Sequence, residues 1–71
     1  MNVIIIGGGQ VGAYIANLLL ESKHHVMVIE NREAVLEKIR EELPLSNIIA
    51  GNGTDPNVLE AAGIKTADVV A

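Results

Sequence analysis

Val3-Ile4-Ile5-Ile6-Gly7-Gly8-Gly9-Gln10-Val11-Gly12 is the stretch on which the fold turns. Four aliphatic residues in a row suit a strand buried on both faces, and the G-x-G-x-x-G that follows stops it and opens a helix. Gly7 permits the tight turn off the strand, Gly9 lets the backbone approach a pyrophosphate, and Gly12 lets helix and strand pack closely. Packing alone does not call for Gly8, so three successive glycines point to a ligand. The amides of Gln10 and Val11 then lie at a helix N-terminus, where free N–H groups and the macrodipole favour an anion.

Eighteen residues after Gly12 comes Glu30, at the end of a second apolar run, Val26-Met27-Val28-Ile29. A carboxylate there can accept hydrogen bonds from both hydroxyls of an adenosine ribose and would repel a 2′-phosphate, which favours NAD or ATP over NADP. Asn31 and Arg32 continue this edge; Arg32 has the chemistry to grip a phosphate or stack on adenine, and equally that of a solvated first-turn residue.

Outward from these two landmarks the pattern alternates. Residues 2–6 and 25–30 read as strands. Residues 10–22 read as a helix whose Val11, Ile15, Leu18 and Leu19 recur at helical spacing and are expected to face inward. Over 32–43, Val35, Leu36, Ile39 and Leu43 form an apolar stripe opposite Glu33, Glu37, Arg40 and Glu41, and Pro44 stops this second helix. Residues 45–50 are expected as a short third strand. Asp55-Pro56 supplies an N-cap and a first-turn proline for a helix over 56–62 that Gly63 ends, and Ala67 to Ala71 opens a fourth strand. The order βαβαβαβ with short connections specifies an α/β, Rossmann-like, doubly wound parallel sheet with strands arranged 3-2-1-4.

Composition narrows the chemistry. Seventy-one residues make one small domain, burying roughly 60% of the surface of the unfolded chain, whereas a complete six-stranded dinucleotide fold needs about twice this length. The expectation is a truncated Rossmann unit, the N-terminal half of a nucleotide-binding domain, or else a chain that pairs with something else, because a sheet ending on Asp68-Val69-Val70-Ala71 leaves an apolar edge uncovered. Tyr14 is the only aromatic residue, so the core must be aliphatic; Tyr14 itself is expected to pack, since no lysine follows four residues later to make it a catalytic tyrosine. Cysteine is absent, which excludes disulfides, thiolate metal sites and thiol nucleophiles. The net charge of -4 leaves no basic stripe for nucleic acid. The longest apolar run is four residues against the ~20 a bilayer needs, and Met1 precedes the first strand without a leader, so a cytoplasmic location is expected. His24-His25 sit in a turn with no third ligand near in sequence and read as surface residues, and Asp68 as a turn residue.

The segment from Ile49 to Ala71 is more distinctive. Gly51-Asn52-Gly53-Thr54-Asp55, then Leu59-Glu60-Ala61-Ala62-Gly63-Ile64 and Ala67-Asp68-Val69-Val70-Ala71, resembles the Gly-Asp-x-Thr-Asp…Leu-x-x-Ala-Gly-Ile…Ala-Asp-x-Val-x-Ala pattern of potassium-transport regulators, the TrkA/KtrA (RCK, KTN) N-terminal nucleotide-binding domains. With the glycine loop and Glu30 the resemblance spans essentially the whole chain. One departure is Asn52, where the family usually has aspartate; asparagine keeps hydrogen bonding and gives up the charge. Two glycines flanking Asn52 exceed what a turn with an N-cap needs, so Asn52, Gly53 and Thr54 join Gly7, Gly8, Gly9, Gln10, Val11, Gly12, Glu30, Asn31 and Arg32 as candidate ligand-binding residues, beside the adenine. The resemblance implies a non-enzymatic regulatory subunit on the inner face of a potassium channel or transporter, forming homo-oligomers and binding NAD(H), or else ATP, ADP or AMP. The competing class is the cofactor-binding fragment of an NAD-dependent dehydrogenase, although no acid, base or nucleophile constellation is present within the chain.

Overall fold

The strand that opens the chain is central to the sheet. In the computed structural model, which describes all 71 residues, β1 (Asn2–Ile6) leads into α1 (Gly9–Glu21), β2 (His25–Glu30), α2 (Glu33–Glu42), β3 (Ile48–Ala50), α3 (Pro56–Ala61) and β4 (Val69–Val70). All pairings are parallel and the order is β3-β2-β1-β4, as the alternation predicts. Val3 lies opposite Val26 on one side and Val69 on the other, so β1 is hydrogen-bonded along both edges. Placing β4 beside β1 reverses the direction of winding, and this reversal leaves a crevice at the carboxyl ends of the strands.

Alternation along the strands divides the core between the two faces. Val3, Ile5, Val26 and Val28 point to one face and are buried against Ala13 and Ala16 of α1, Leu36 and Ile39 of α2, and Leu43 just beyond it. Ile4 and Ile29 point to the other face and meet Ala62 at the end of α3. Helix α2 follows the sequence reading, with Leu36, Ile39 and Leu43 buried. Leu43 is already extended, at φ -121°, because the residue before a proline is driven out of the helical region.

Helix α1 departs from the reading. Its buried residues are Gly12, Ala13 and Ala16, whereas Val11 is 70% exposed and Ile15, Leu18 and Tyr14 also face solvent. The glycine loop brings α1 so close to the sheet that a Cβ on Gly12 would stand 2.8 Å from the Gly7 carbonyl oxygen. Only small side chains fit along the closest part of this contact, and of the four residues expected inward Leu19 alone packs against the core, partly buried, farther along the helix. Tyr14, expected to pack, is therefore on the outer face of α1.

The later strands are shorter than expected. Residues 45–47 form a 3₁₀ turn instead of strand, with the Asn47 side-chain amide donating to the Val26 carbonyl at 2.8 Å, and β3 keeps only three residues. Residues 64–66 form another such turn. Strand β4 has two residues, although the Ala71 amide still donates to Ile4 and the Ile6 amide to the Ala71 carbonyl. Asp68 is the turn residue expected, accepting from the Asn2 amide at 2.7 Å. Asp55 caps α3 as predicted, accepting from the Asn57 amide at 2.9 Å, with Pro56 in the first turn. No helix is long and apolar enough to cross a membrane.

Candidate functional site

The carboxyl ends of β1, β2 and β3 meet around a cavity of about 280 Å³. Gly7 closes it from β1; Glu30, Asn31 and Arg32 from β2; Asn52, Gly53 and Thr54 from the loop after β3. Seven of the predicted residues thus converge on one hollow from three separate segments. Gly8, Gly9, Gln10, Val11 and Gly12 do not line it; they carry the chain from its rim into α1.

The glycine loop is shaped by backbone conformation as much as by ligand access. Gly7, Gly8 and Gly9 all have positive φ, at 70°, 87° and 53°, a run that L side chains rarely adopt. Gly8, which packing did not seem to require, is fixed twice over: it is the left-handed N-cap of α1, and a Cβ there would come within 3.1 Å of Gly12 Cα. Gly9 differs, since a Cβ on it would meet nothing within 4 Å, so the space above its backbone is open. The N-terminus of α1 has no side-chain cap and no acidic residue in its first turn. The Gly12 amide donates to the Gly8 carbonyl, while the amides of Gly8, Gly9, Gln10 and Val11 find no acceptor in the protein. Four free donors at a helix N-terminus form a ready anion site. Val11 can take part only through its amide, its side chain being turned to solvent.

Glu30 is the one buried charged residue, 3% exposed. Its Oε2 accepts from the amides of Asn31 at 2.9 Å and Arg32 at 2.8 Å and from Arg32 Nε at 3.1 Å; its Oε1 accepts from Arg32 Nη2 at 3.0 Å. The Arg32 guanidinium is the largest influence holding this carboxyl below its ordinary value of 4.5, with the two amides assisting and burial opposing. The carboxylate is therefore ionised at neutral pH and lines the cavity from the end of β2.

The loop after β3 needs its glycines for packing. A Cβ on Gly53 would collide with the Ile6 side chain, and one on Gly51 would stand 3.0 Å from Val58. The loop thus lies flat on the end of β1, and the expectation that these glycines exceed structural need is corrected. Asn52 Oδ1 accepts from the Thr54 amide at 2.9 Å and from Thr54 Oγ1 at 2.8 Å, so Asn52 holds the loop's shape. Ile6 and Ile29 also line the cavity and were not singled out from sequence; a strand's last residue on an alternating face is the signal that would have found Ile6. His24 lies on the surface, its Nδ1 bonded to the amino terminus at 2.9 Å. A larger hollow, about 420 Å³, lies at the opposite end of the sheet among Asn2, Met27, Ala62 and Thr66 and contains none of the predicted residues.

A glycine loop, a buried acid at the end of the second strand and a cavity at the winding reversal thus stand together at one edge of the sheet. The model of the TrkA-N domain matches residues 3–71. The chain belongs to the TrkA-N family. It is 48% identical over 69 residues to a Trk system potassium uptake protein TrkA homolog of Methanothermobacter thermautotrophicus, covering 97% of this chain and 32% of that protein. A homolog of the same name from Pyrococcus abyssi is 42% identical over 72 residues, covering 100% and 31%. The Trk system potassium uptake protein TrkA of Vibrio alginolyticus is 30% identical over 70 residues, covering 99% and 15%. This TrkA-N chain spans about a third of the archaeal relatives and less of the bacterial one.

Proposed function

We propose that this TrkA-N chain is the N-terminal, nucleotide-binding half of a regulatory domain for a potassium transporter or channel, acting as a sensor and not as an enzyme. The ligand is an adenine nucleotide, NAD(H) first, with ATP, ADP or AMP as related alternatives. The observation that carries this reading is the placement of free amides at the start of α1, just past the cavity rim at Gly7, beside a cavity that the ionised Glu30 lines from the end of β2. Those two features match, respectively, the phosphates and the ribose hydroxyls of one molecule. The names of the relatives support the potassium system, and membership of the TrkA-N family supports a regulatory part for the chain.

In this reading the protein is peripheral to the cytoplasmic face of the membrane, held there by a transporter subunit and assembled with further copies of itself. Gating requires that the nucleotide bind two conformational states with different affinity; tight binding alone shifts nothing. Glu30→Gln removes the charge that distinguishes a free ribose from a 2′-phosphate. Calorimetric titration should show NADH binding weakened about tenfold or more, because hydrogen bonds to a charged acceptor are the strong ones, and NADPH binding weakened less. Equal losses for the two would take Glu30 away from the ribose.

A further inference from the structure

The hydrogen bonds around Glu30 are spread unevenly over its carboxylate. An ionised carboxylate offers about four acceptor positions, two on each oxygen; four donors meet it, two main-chain amides and two nitrogens of one guanidinium, three of them at Oε2 and one, Arg32 Nη2, at Oε1. The two pairs are not equivalent. The amides of Asn31 and Arg32 belong to the turn that joins β2 to α2 and cannot leave without undoing it. The guanidinium stands at the tip of a side chain that is 60% exposed, against 2% for the Glu30 side chain.

Resting on the nucleotide reading above, we infer that Arg32 is a built-in competitor of the ribose. In the free protein its planar fork occupies the Glu30 positions that the 2′- and 3′-hydroxyls of an adenosine nucleotide use, and binding exchanges one for the other. The exchange is matched in number, two N–H donors for two O–H donors, and it leaves both main-chain bonds in place. It also explains why an arginine stands here. A carboxylate this buried is costly to leave without a partner, and Arg32 supplies one whenever the site holds no nucleotide. Lysine would hold the charge without the fork.

Competition of this kind depends on the sugar hydroxyls and on nothing else in the ligand. A nucleotide without them has no need to displace Arg32. The test is titration of the wild-type protein and of Arg32→Ala with AMP and with 2′,3′-dideoxy-AMP. Removing the fork should tighten AMP by about two- to fivefold, the scale of a solvent-exposed ion pair, and leave dideoxy-AMP unchanged. Arg32→Lys should give a smaller gain for AMP, and it serves as the second variant if loss of the charge beside Glu30 prevents Arg32→Ala from folding. If the wild type binds AMP and removing the fork leaves affinity equal or weaker, or tightens both nucleotides alike, Arg32 is not a competitor while nucleotide binding stands. If no protein binds AMP, NADH or ATP, the nucleotide reading itself fails and the competitor falls with it.

Discussion

The two faces of the sheet are covered unequally. On the α1/α2 face nine residues are buried in one cluster; on the α3 face three are, with Met27, Val58, Leu59 and Ile64 only partly covered around them. Two helices of thirteen and ten residues cover the first face, and a helix of six the second. The site draws on both. Gly7 and Glu30 sit at the ends of strands anchored in the larger cluster, whereas Gly51 to Thr54 rest on Ile6 and Val58 beside the smaller one. One wall of the cavity is thus set by a packed core and the other by a loop held through local bonds.

The largest effect that would break this contrast is on the well-covered face. Leu36, 1% exposed, sits between α2 and the sheet. Leu36→Ala should cost about 2–5 kcal/mol in denaturant unfolding, enough to abolish folding in a domain whose total stability is on the order of 5 kcal/mol. A loss under about 1 kcal/mol, the scale of a surface substitution, would mean that this cluster is not the main source of stability. On the other face the discrete stabilising element is the cap of α3. Asp55→Ala should cost about 1 kcal/mol, checked by the same unfolding curve, and leave α1 and α2 intact by amide exchange. If it cost as much as Leu36→Ala, the asymmetry between the faces would be lost.

The contrast also explains which parts of the molecule the sequence discloses. Helix α2 was readable because Leu36, Ile39 and Leu43 are large, buried and separated by helical spacing. In α1 the same spacing misleads, since Gly12, Ala13 and Ala16 bury the face and the larger Val11, Ile15 and Leu18 are left outside. Size and hydrophobicity disagree wherever backbones approach closely. Glu30 was legible from its distance to the glycine loop, and the loop from its glycines. What Gly51 and Gly53 accommodate was not, because Ile6 and Val58 are distant in sequence and adjacent only in the fold. Nor does the sequence indicate that Arg32 closes on Glu30 with both arms, since a residue two positions past a strand end can as easily point to solvent.

The central claim is that a nucleotide occupies the cavity at the carboxyl ends of the strands. The most direct measurement is the change in backbone amide resonances as NADH, ATP, ADP and AMP are added in turn. With at least one of them the shifts should concentrate at Gly7 to Val11, Asn31 and Arg32, and Gly51 to Thr54. Resonances that stay fixed with all four at saturating concentration, or that move instead around Asn2, Met27, Ala62 and Thr66 at the opposite end of the sheet, would contradict it.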